Sequence, residues 1–448
     1  MTNNLPSGWV WTRLEDLVAH EPRAITDGPF GSNLKTVHYT DDGPRVIRLQ
    51  NIGDGVYRHE DAHISEEHYR SLVQHSVREG DLVVASLGDA LPRACLVPSW
   101  VPPAIVKADC IRVRLHPDLD PSYINFALQR PELRRETAAH IKGVGRPRLG
   151  LRGIKDLVVP LAPPPEQERI VAAIEEHFTR LDAVELALQR ALQQLDTLKS
   201  AVLVEAFHSN RGLPSHWNWT TIGEVAEVKG GIQKQPKRRP NKNPAPFLRV
   251  ANVLRGELLL DEVHQIELFD GELQRYRLQA GDLLVVEGNG SPQQIGRAAC
   301  WEGEIADCVH QNHLIRVRPG PKLVPRYLAL YWNAPRTASV LREVASSTSG
   351  LYTLSTAKVK SIPIPVAPLP EQQRIAEEVD QQLEAHTRLE QSIRHAHDRL
   401  RAVRRSILAL AFSGQLMAQD PDDEPASVLL ERIAASRRAT PTRQDVNA

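Results

Sequence analysis

His59-Glu60-Asp61-Ala62-His63 has the spacing of H-E-x-x-H, in which two histidines on one helix face ligate zinc and the glutamate acts as base. That chemistry needs a helix. Gly53, Asp54 and Gly55 lie just upstream and the corresponding stretch around His264 lacks the pattern, so the motif reads as a solvated loop. Asn243-Pro244-Ala245-Pro246-Phe247 approaches the N-P-P-F loop that holds a flipped adenine in amino-methyltransferases, with one residue too many and no glycine-rich turn for a nucleotide cofactor. Gly288-Asn289-Gly290-Ser291 begins a G-x-G-x-x-G, but Gln293 stands at the third glycine, and a G-x-x-x-x-G-K-[ST] loop is absent. Glu227-Val228-Lys229 matches the E-x-K end of a nuclease site without the upstream Pro-Asp pair. Cys95, Cys110, Cys300 and Cys308 contain no C-x-x-C pair and read as small core residues, with no metal site. No catalytic constellation survives along the chain.

What survives suits nucleic acid. Lys229, Lys234, Lys237, Arg238, Arg239 and Lys242 fall within fourteen positions, interleaved with Gly, Gln, Asn and Pro, as in a loop that grips a phosphate backbone or one that is merely solvated. Lys142, Arg146 and Arg148 flank Gly143 and Gly145, where glycine lets a loop approach a phosphate closely. The corresponding stretch, Ser346 to Thr353 with Tyr352, is uncharged but rich in hydroxyl groups, and phosphate oxygens accept from both kinds of donor. Arg48 with Asn51 and Arg249 with Asn252 have the chemistry for base edges. Because they occur twice unchanged, they read better as scaffold, and discrimination is expected from divergent stretches: Gly288 to Gln294 against Gly88 to Arg93, and His310 to His313 against Lys107 to Cys110. Lys35, Arg93, Gln293, Gln294, Arg297 and Asn312 join the basic residues and Tyr352 as candidate DNA contacts.

The elements that must position these residues occur twice. Leu5-Pro6-Ser7-Gly8-Trp9-Val10-Trp11 returns as Leu213-Pro214-Ser215-His216-Trp217-Asn218-Trp219, Gly80-Asp81-Leu82 as Gly281-Asp282-Leu283, and Ile111-Arg112-Val113-Arg114 as Ile315-Arg316-Val317-Arg318. Each copy has a mixed globular part, with β-rich runs such as Arg45 to Ile52, Asp81 to Ser86 and Cys110 to Leu115 and a helical stretch from Pro121 to His140. A long helix follows, from about Pro165 to Phe207 in the first copy and roughly 60 Å long. Its apolar residues Ile170, Ile174, Phe178, Val184, Leu188, Leu195, Leu198 and Val202 return as Ile375, Val379, Leu383, Leu389, Ile393, Leu400, Val403 and Ile407, a coiled-coil stripe. His386 and His397 replace Leu181 and Leu192 near that seam, either tolerated at its edge or making it sensitive to pH. Beyond Met417 a short helix near Ala426 to Ala435 and then disorder are expected. With 55 Lys+Arg against 55 Asp+Glu over 448 residues, any basic surface is local. No apolar run approaches a membrane span, and the Met1-Thr2-Asn3-Asn4-Leu5-Pro6 start lacks signal-peptide character, so a cytoplasmic protein is expected.

Two variable globular units, each opened by L-P-x-x-W and closed by P-x-P-x-x-E-Q-x-R-I before a long helix, resemble the specificity (S) subunits of type I restriction-modification systems. The resemblance covers about residues 5 to 416, with Gly28-Pro29-Phe30-Gly31-Ser32 adding to it in the first unit. It implies an α+β fold: target recognition domains at 1–160 and 211–366, long antiparallel coiled-coil helices at 161–210 and 367–416, and a partly disordered tail at 417–448. It implies that each domain reads one half of a split DNA sequence and that the chain itself is not an enzyme. Two methylation (M) subunits carrying S-adenosylmethionine for N6-adenine methylation, and restriction (R) subunits using ATP and Mg, are the implied partners. Glu166, Gln167 and Arg169, with Glu371, Gln372 and Arg374, fall in the regions that contact methylation subunits in that family; equally, they suit the chemistry of a helix N-terminus. Helix length would set the unread gap, so removing one turn from both helices is expected to shorten it by one or two base pairs. The rivals are a stand-alone DNA-binding scaffold or regulator without methyltransferase partners, and the DNA-reading part of a single-chain restriction enzyme.

Overall fold

The structure, a computed structural model, describes residues 5–88, 90–141, 147–208, 214–288, 294–345 and 353–439. Contacts divide the chain into two compact units: residues 1–187 together with 396–448, and residues 188–395.

The first unit is built around Leu82–Ala85, an unbroken apolar run whose side chains are all fully buried, as expected of a strand covered on both faces. It pairs antiparallel with Cys110–Val113 on one side and Arg93–Leu96 on the other, and Ile25–Asp27 completes a four-stranded sheet. A second sheet orders His63–Ile64, Tyr39–Ile47, Ala104–Val106 and Ser76–Val77, the middle two running parallel. Val10–Arg13 pairs with Val158–Leu161, which ties the start of the unit to the joint before the long helix. In the second unit the four-stranded sheet is Ala226–Gly230, Leu314–Pro319, Asp282–Val286 and Ala298–Trp301, and the two-stranded ladder is Asn218–Thr221 with Pro363–Val366. Its remaining sheet has three strands, His264–Glu267, Pro244–Leu248 and Val309–His310, the last parallel to its neighbour.

The repeated sequence motifs hold these sheets together. Gly80 and Gly281 turn the chain at φ +78° and +91°, a conformation that favours glycine. The aspartate after each is buried and paired with the last arginine of I-R-V-R: Arg114 Nε and Nη2 lie 2.8 and 2.7 Å from Asp81, and Arg318 Nε and Nη2 both lie 2.7 Å from Asp282. The tryptophans of L-P-x-x-W pack edge-on to buried tyrosines, Trp9 on Tyr123 at 6.5 Å and Trp217 on Tyr327 at 6.4 Å. The helical stretch expected over 121–140 is two helices, Pro121–Leu128 and Pro131–His140, because Pro131 disfavours helical geometry in Arg130 and starts a new first turn.

The long helices run Pro164–His208 and Leu369–Ala411. In the first unit Ile170, Val171 and Ile174 share a core with Ile407, Leu408, Ala411 and Phe412. In the second, Phe207 shares one with Ile375, Ala376 and Val379. Positions 174, 178, 181, 185, 188, 192, 195, 199, 202 and 206 of the first helix and 379, 383, 386, 390, 393, 397, 400, 404, 407 and 411 of the second are all shielded, a run of alternating steps of four and three, with 177, 191, 203 and 204 and with 380, 396, 408 and 409 shielded beside it. The expected stripe is therefore displaced in places. Val184, Leu198, Leu389 and Val403 are 46, 53, 52 and 44 % exposed, and the seam positions beside them hold Glu185, Lys199, Glu390 and Arg404.

The expected tail is in part core. Ala426–Ala439 is a helix longer than expected, and its Ala426, Leu429 and Ile433 are buried in the first unit. Ala426 N–H donates to Gly8 O at 2.8 Å and Arg437 donates to Glu15 O at 2.6 Å. Residues 440–448 lie outside the described residues.

Candidate nucleic-acid interface

In each unit the loops leaving one end of the four-stranded sheet are stitched together by their backbones. In the first, Ser86 N–H donates to Asp109 O at 2.8 Å and Leu149 N–H to Ser86 O at 2.8 Å. In the second, Ile232 N–H donates to His310 O at 2.8 Å, Asn312 N–H to Ile232 O at 2.9 Å, Glu287 N–H to His313 O at 3.0 Å and Leu354 N–H to Glu287 O at 2.7 Å. Both clusters rest on a glycine. A Cβ on Gly28 would lie 2.2 Å from Val106 O, and one on Gly231 would lie 2.2 Å from His310 O, so neither site admits a side chain. The second unit lacks the Gly-Pro-Phe-Gly-Ser sequence, yet its loop springs from the same close approach.

The side chains on these loops differ between units. On the first, Phe30 is 46 % exposed, Arg148 lies 6.0 Å from its ring, and the guanidinium also pairs with Asp109 at 2.7 Å. Lys35 is exposed and its backbone N–H donates to His38 Nδ1 at 3.1 Å. On the second, Lys234, Lys237, Arg239 and Lys242 are exposed, and Lys229 pairs with Glu227. Gln294 is exposed and Asn312 half-buried. Lys142, Arg146, Gln293 and Tyr352 lie outside the described residues.

Three candidate arginines are committed within their own unit. Arg238 donates to both oxygens of Glu272 at 2.8 and 2.7 Å and stacks 4.6 Å from Phe269. Arg93 donates to Leu49 O at 3.2 Å, and Arg297 to Val253 O at 2.7 Å and Val250 O at 3.0 Å. These bonds hold loops in place. A carboxylate the sequence did not single out organises the basic loop. Glu267 accepts from the backbone N–H groups of Asn241, Lys242 and Asn243 at 2.7, 3.0 and 2.8 Å. Burial acts to raise its pKa, but those three donors outweigh it and hold the carboxyl below its ordinary value. Arg238 likewise lowers Glu272. Phe30 and Phe269 are further exposed features beyond the sequence candidates, and exposed His313, within the divergent stretch His310 to His313, pairs with half-buried Glu287 at 2.9 Å. Phe30 carried a signal, an aromatic between glycines; the others depend on partners far away in sequence.

The asparagines of the twice-occurring Arg-Asn pairs are buried and close turns. Asn51 Oδ1 accepts from Arg48 N–H at 2.9 Å and its Nδ2 donates to Arg58 O and Glu60 O; Asn252 accepts from Arg249 N–H at 2.8 Å and donates to Leu259 O and Glu262 O. The joints also face inward. Gln167 and Gln372 are buried, each donating to the carbonyl five residues back, Ala162 O at 2.8 Å and Ala367 O at 2.7 Å. Glu166 is buried and accepts from Trp9 Nε1 at 2.8 Å; burial raises its pKa against that hydrogen bond. These three are corrected from partner contacts to fasteners between helix and globular part. Glu371 accepts from His216, Arg169 pairs with Asp423 at 2.6 Å, and Arg374 is an exposed neighbour of Glu378 at 2.8 Å.

Two of the enzyme-like motifs lack the local structure their chemistry needs, and residues 289–293 of a third lie outside the described residues. Residues 59–62 form no helix; His59 stacks on Trp100 at 5.3 Å, and His63 opens a strand. Pro244–Leu248 is a strand with Phe247 buried. Among the described residues no group of three His, Cys, Asp or Glu is placed to hold a metal ion, and no helix is long and apolar enough to cross a membrane. Burial pushes the thiols of Cys95, Cys300 and Cys308 up to about 12.

Residues 214–396 match the family model for the type I restriction modification DNA specificity domain. The chain is similar to the type I restriction enzyme EcoKI specificity subunit of Escherichia coli K12, 28 % identical over 312 residues, which are 64 % of this chain and 65 % of that one. It is 24 % identical to the StySPI specificity subunit of Salmonella potsdam across 97 % of this chain and 96 % of that one. It thus spans just under two thirds of the first relative and nearly all of the second. A chain from the solved structure described as the structural basis underlying complex assembly and conformational transition of the type I R-M system superposes with a TM-score of 0.70. That match, at 20 % identity, covers 92 % of this chain and 100 % of the other, and speaks for a shared α+β fold.

Proposed function

We propose that the chain is a specificity subunit of the type I restriction-modification kind and that its two units each read one half of a split, asymmetric DNA sequence. The observation that carries this reading is the contrast within each unit. The scaffold under the loop clusters repeats, with the same buried Asp-Arg pairs, Asn-closed turns and glycine approaches. The side chains above it do not repeat: Phe30 and Arg148 on one, Lys234, Lys237, Arg239 and Asn312 on the other. Like frames with unlike faces are what two readers of different half-sites require. The exposed cations would neutralise phosphates, and the polar loop residues would meet base edges.

On this reading the long helices form an antiparallel coiled coil that spaces the two readers, and the chain directs partners rather than catalysing. Methylation subunits with S-adenosylmethionine would act on adenine N6, and restriction subunits with ATP and Mg would move along and cut DNA, in the cytoplasm. The test is co-expression with the neighbouring methylation subunit in a methylation-free host, followed by genome-wide mapping of N6-methyladenine. Methylation at one split motif, dependent on this chain, is expected. An assembled complex that leaves no mark would make the chain a scaffold or regulator instead.

A further inference from the structure

The seam of the long helices holds charge at positions where a 4-3 repeat wants apolar side chains. In the second unit Lys199 Nζ donates to Glu390 Oε2 at 2.6 Å. In the first, Arg404 reaches Glu185 at 3.4 Å, also pairs with Asp182, and lies over Phe178 at 5.0 Å, while His397 Nε2 sits 3.1 Å from Glu185. The four paired seam side chains keep only a quarter to a third of their surface.

The two pairs obey one register. Glu185 and Lys199 stand two heptads apart on the first helix, and Glu390 and Arg404 two heptads apart on the second, in the opposite order. Pairs of this kind add little to stability, because desolvation offsets most of the Coulombic gain. Their leverage lies in what they forbid. Sliding by one heptad sets Lys199 against Leu383 and Glu390 against Leu192 in one direction, or Glu185 against Ala411 and Glu390 against Ala206 in the other. Each alternative strands a charge on an apolar partner, and a polar residue at one seam position is a known means of specifying coiled-coil register at a cost in stability. We propose that Glu185–Arg404 and Lys199–Glu390 are positioning residues that fix the register of the two long helices and, resting on the bipartite reading above, the gap between half-sites.

The test uses the full chain, alone and with its methylation subunit. Spin labels go on Val184→Cys and Val403→Cys, both on the exposed flank of the seam, in a Cys300→Ser background. Replacing all four seam charges by Leu is expected to keep or raise the thermal midpoint. The same change should add a second label distance offset by up to about 10 Å, one heptad of rise, and methylation at more than one gap length. Arg404→Glu alone should broaden the distance, and adding Glu185→Arg should restore a single distance and a single gap. If the four-Leu chain keeps one distance and one gap, the helix ends buried in the globular cores fix the register unaided and the proposal fails. The labels report independently of DNA: should the unaltered chain direct no methylation, the bipartite reading falls while the distances still decide the register.

Discussion

Asn51 and Lys234 mark the two kinds of polar residue in this molecule. Asn51 is wholly buried and Asn252 3 % exposed, and each closes a turn with three hydrogen bonds to main-chain groups. Truncation leaves buried donors and acceptors unpaired, at roughly 1–3 kcal/mol for each group that water cannot reach. Asn51→Ala and Asn252→Ala are expected to lower the urea midpoint by about 2–3 kcal/mol equivalent each. Lys234 is exposed, so Lys234→Ala should leave that midpoint unchanged. Its effect should appear in DNA binding by the assembled complex, as weaker affinity for every sequence and a salt dependence shallower by about one counterion. A stability loss in Lys234→Ala, or an unaltered salt slope, would remove it from the interface. The scaffold role of the asparagines was legible because both copies keep them. Arg238 was not: counting cations along a loop cannot reveal a carboxylate at Glu272 waiting across a fold.

Among the elements, the helix Ala426–Ala439 shows how much a local reading can miss. Acidic residues before it and basic ones after it suggested a tail, while Ala426, Leu429 and Ile433 at steps of three and four spell a buried face. Burying one Leu, one Ile and one Ala is worth roughly 3–5 kcal/mol to the unit that receives them. Truncation after Met417 should therefore lower the calorimetric transition of the first unit and leave that of the second in place. Both transitions falling together, or neither, would contradict the packing. Similar physics displaced the coil stripe. Reading apolar residues alone selects Val184 and Leu198, whereas the seam takes the aliphatic stems of Glu185 and Lys199, whose charged ends then find partners on the facing helix. The strands were easier, since an all-apolar run as short as Leu82–Ala85, preceded by the Gly80-Asp81 turn, suits a strand covered on both faces.

At the scale of the whole molecule, the repeat made the two-unit plan legible, but the compact units do not end at the Pro-Glu-Gln joints, because each takes part of both long helices. That sharing makes helix length testable without disturbing either core. Residues 188–194 and 393–399 are corresponding heptads, and each lies between the two charge pairs: Glu185 and Lys199 flank one, Glu390 and Arg404 the other. Deleting both heptads preserves the 4-3 phase and leaves Glu185 able to face Arg404 and Lys199 able to face Glu390. If the helices space the two readers, the chain loses about 10 Å of rise, which is close to three base pairs at 3.4 Å each. Three base pairs also turn one half-site by about 100° relative to the other, at 10–10.5 base pairs per turn. The expected result is methylation of the same two half-sites across a gap some three base pairs shorter, at reduced efficiency because the readers no longer meet their grooves squarely. Deleting only one heptad should break the match of the charge pairs and abolish the single gap. An unchanged gap after the double deletion would mean that helix length does not set the spacing, and the reach of the loops or the partner subunits would have to.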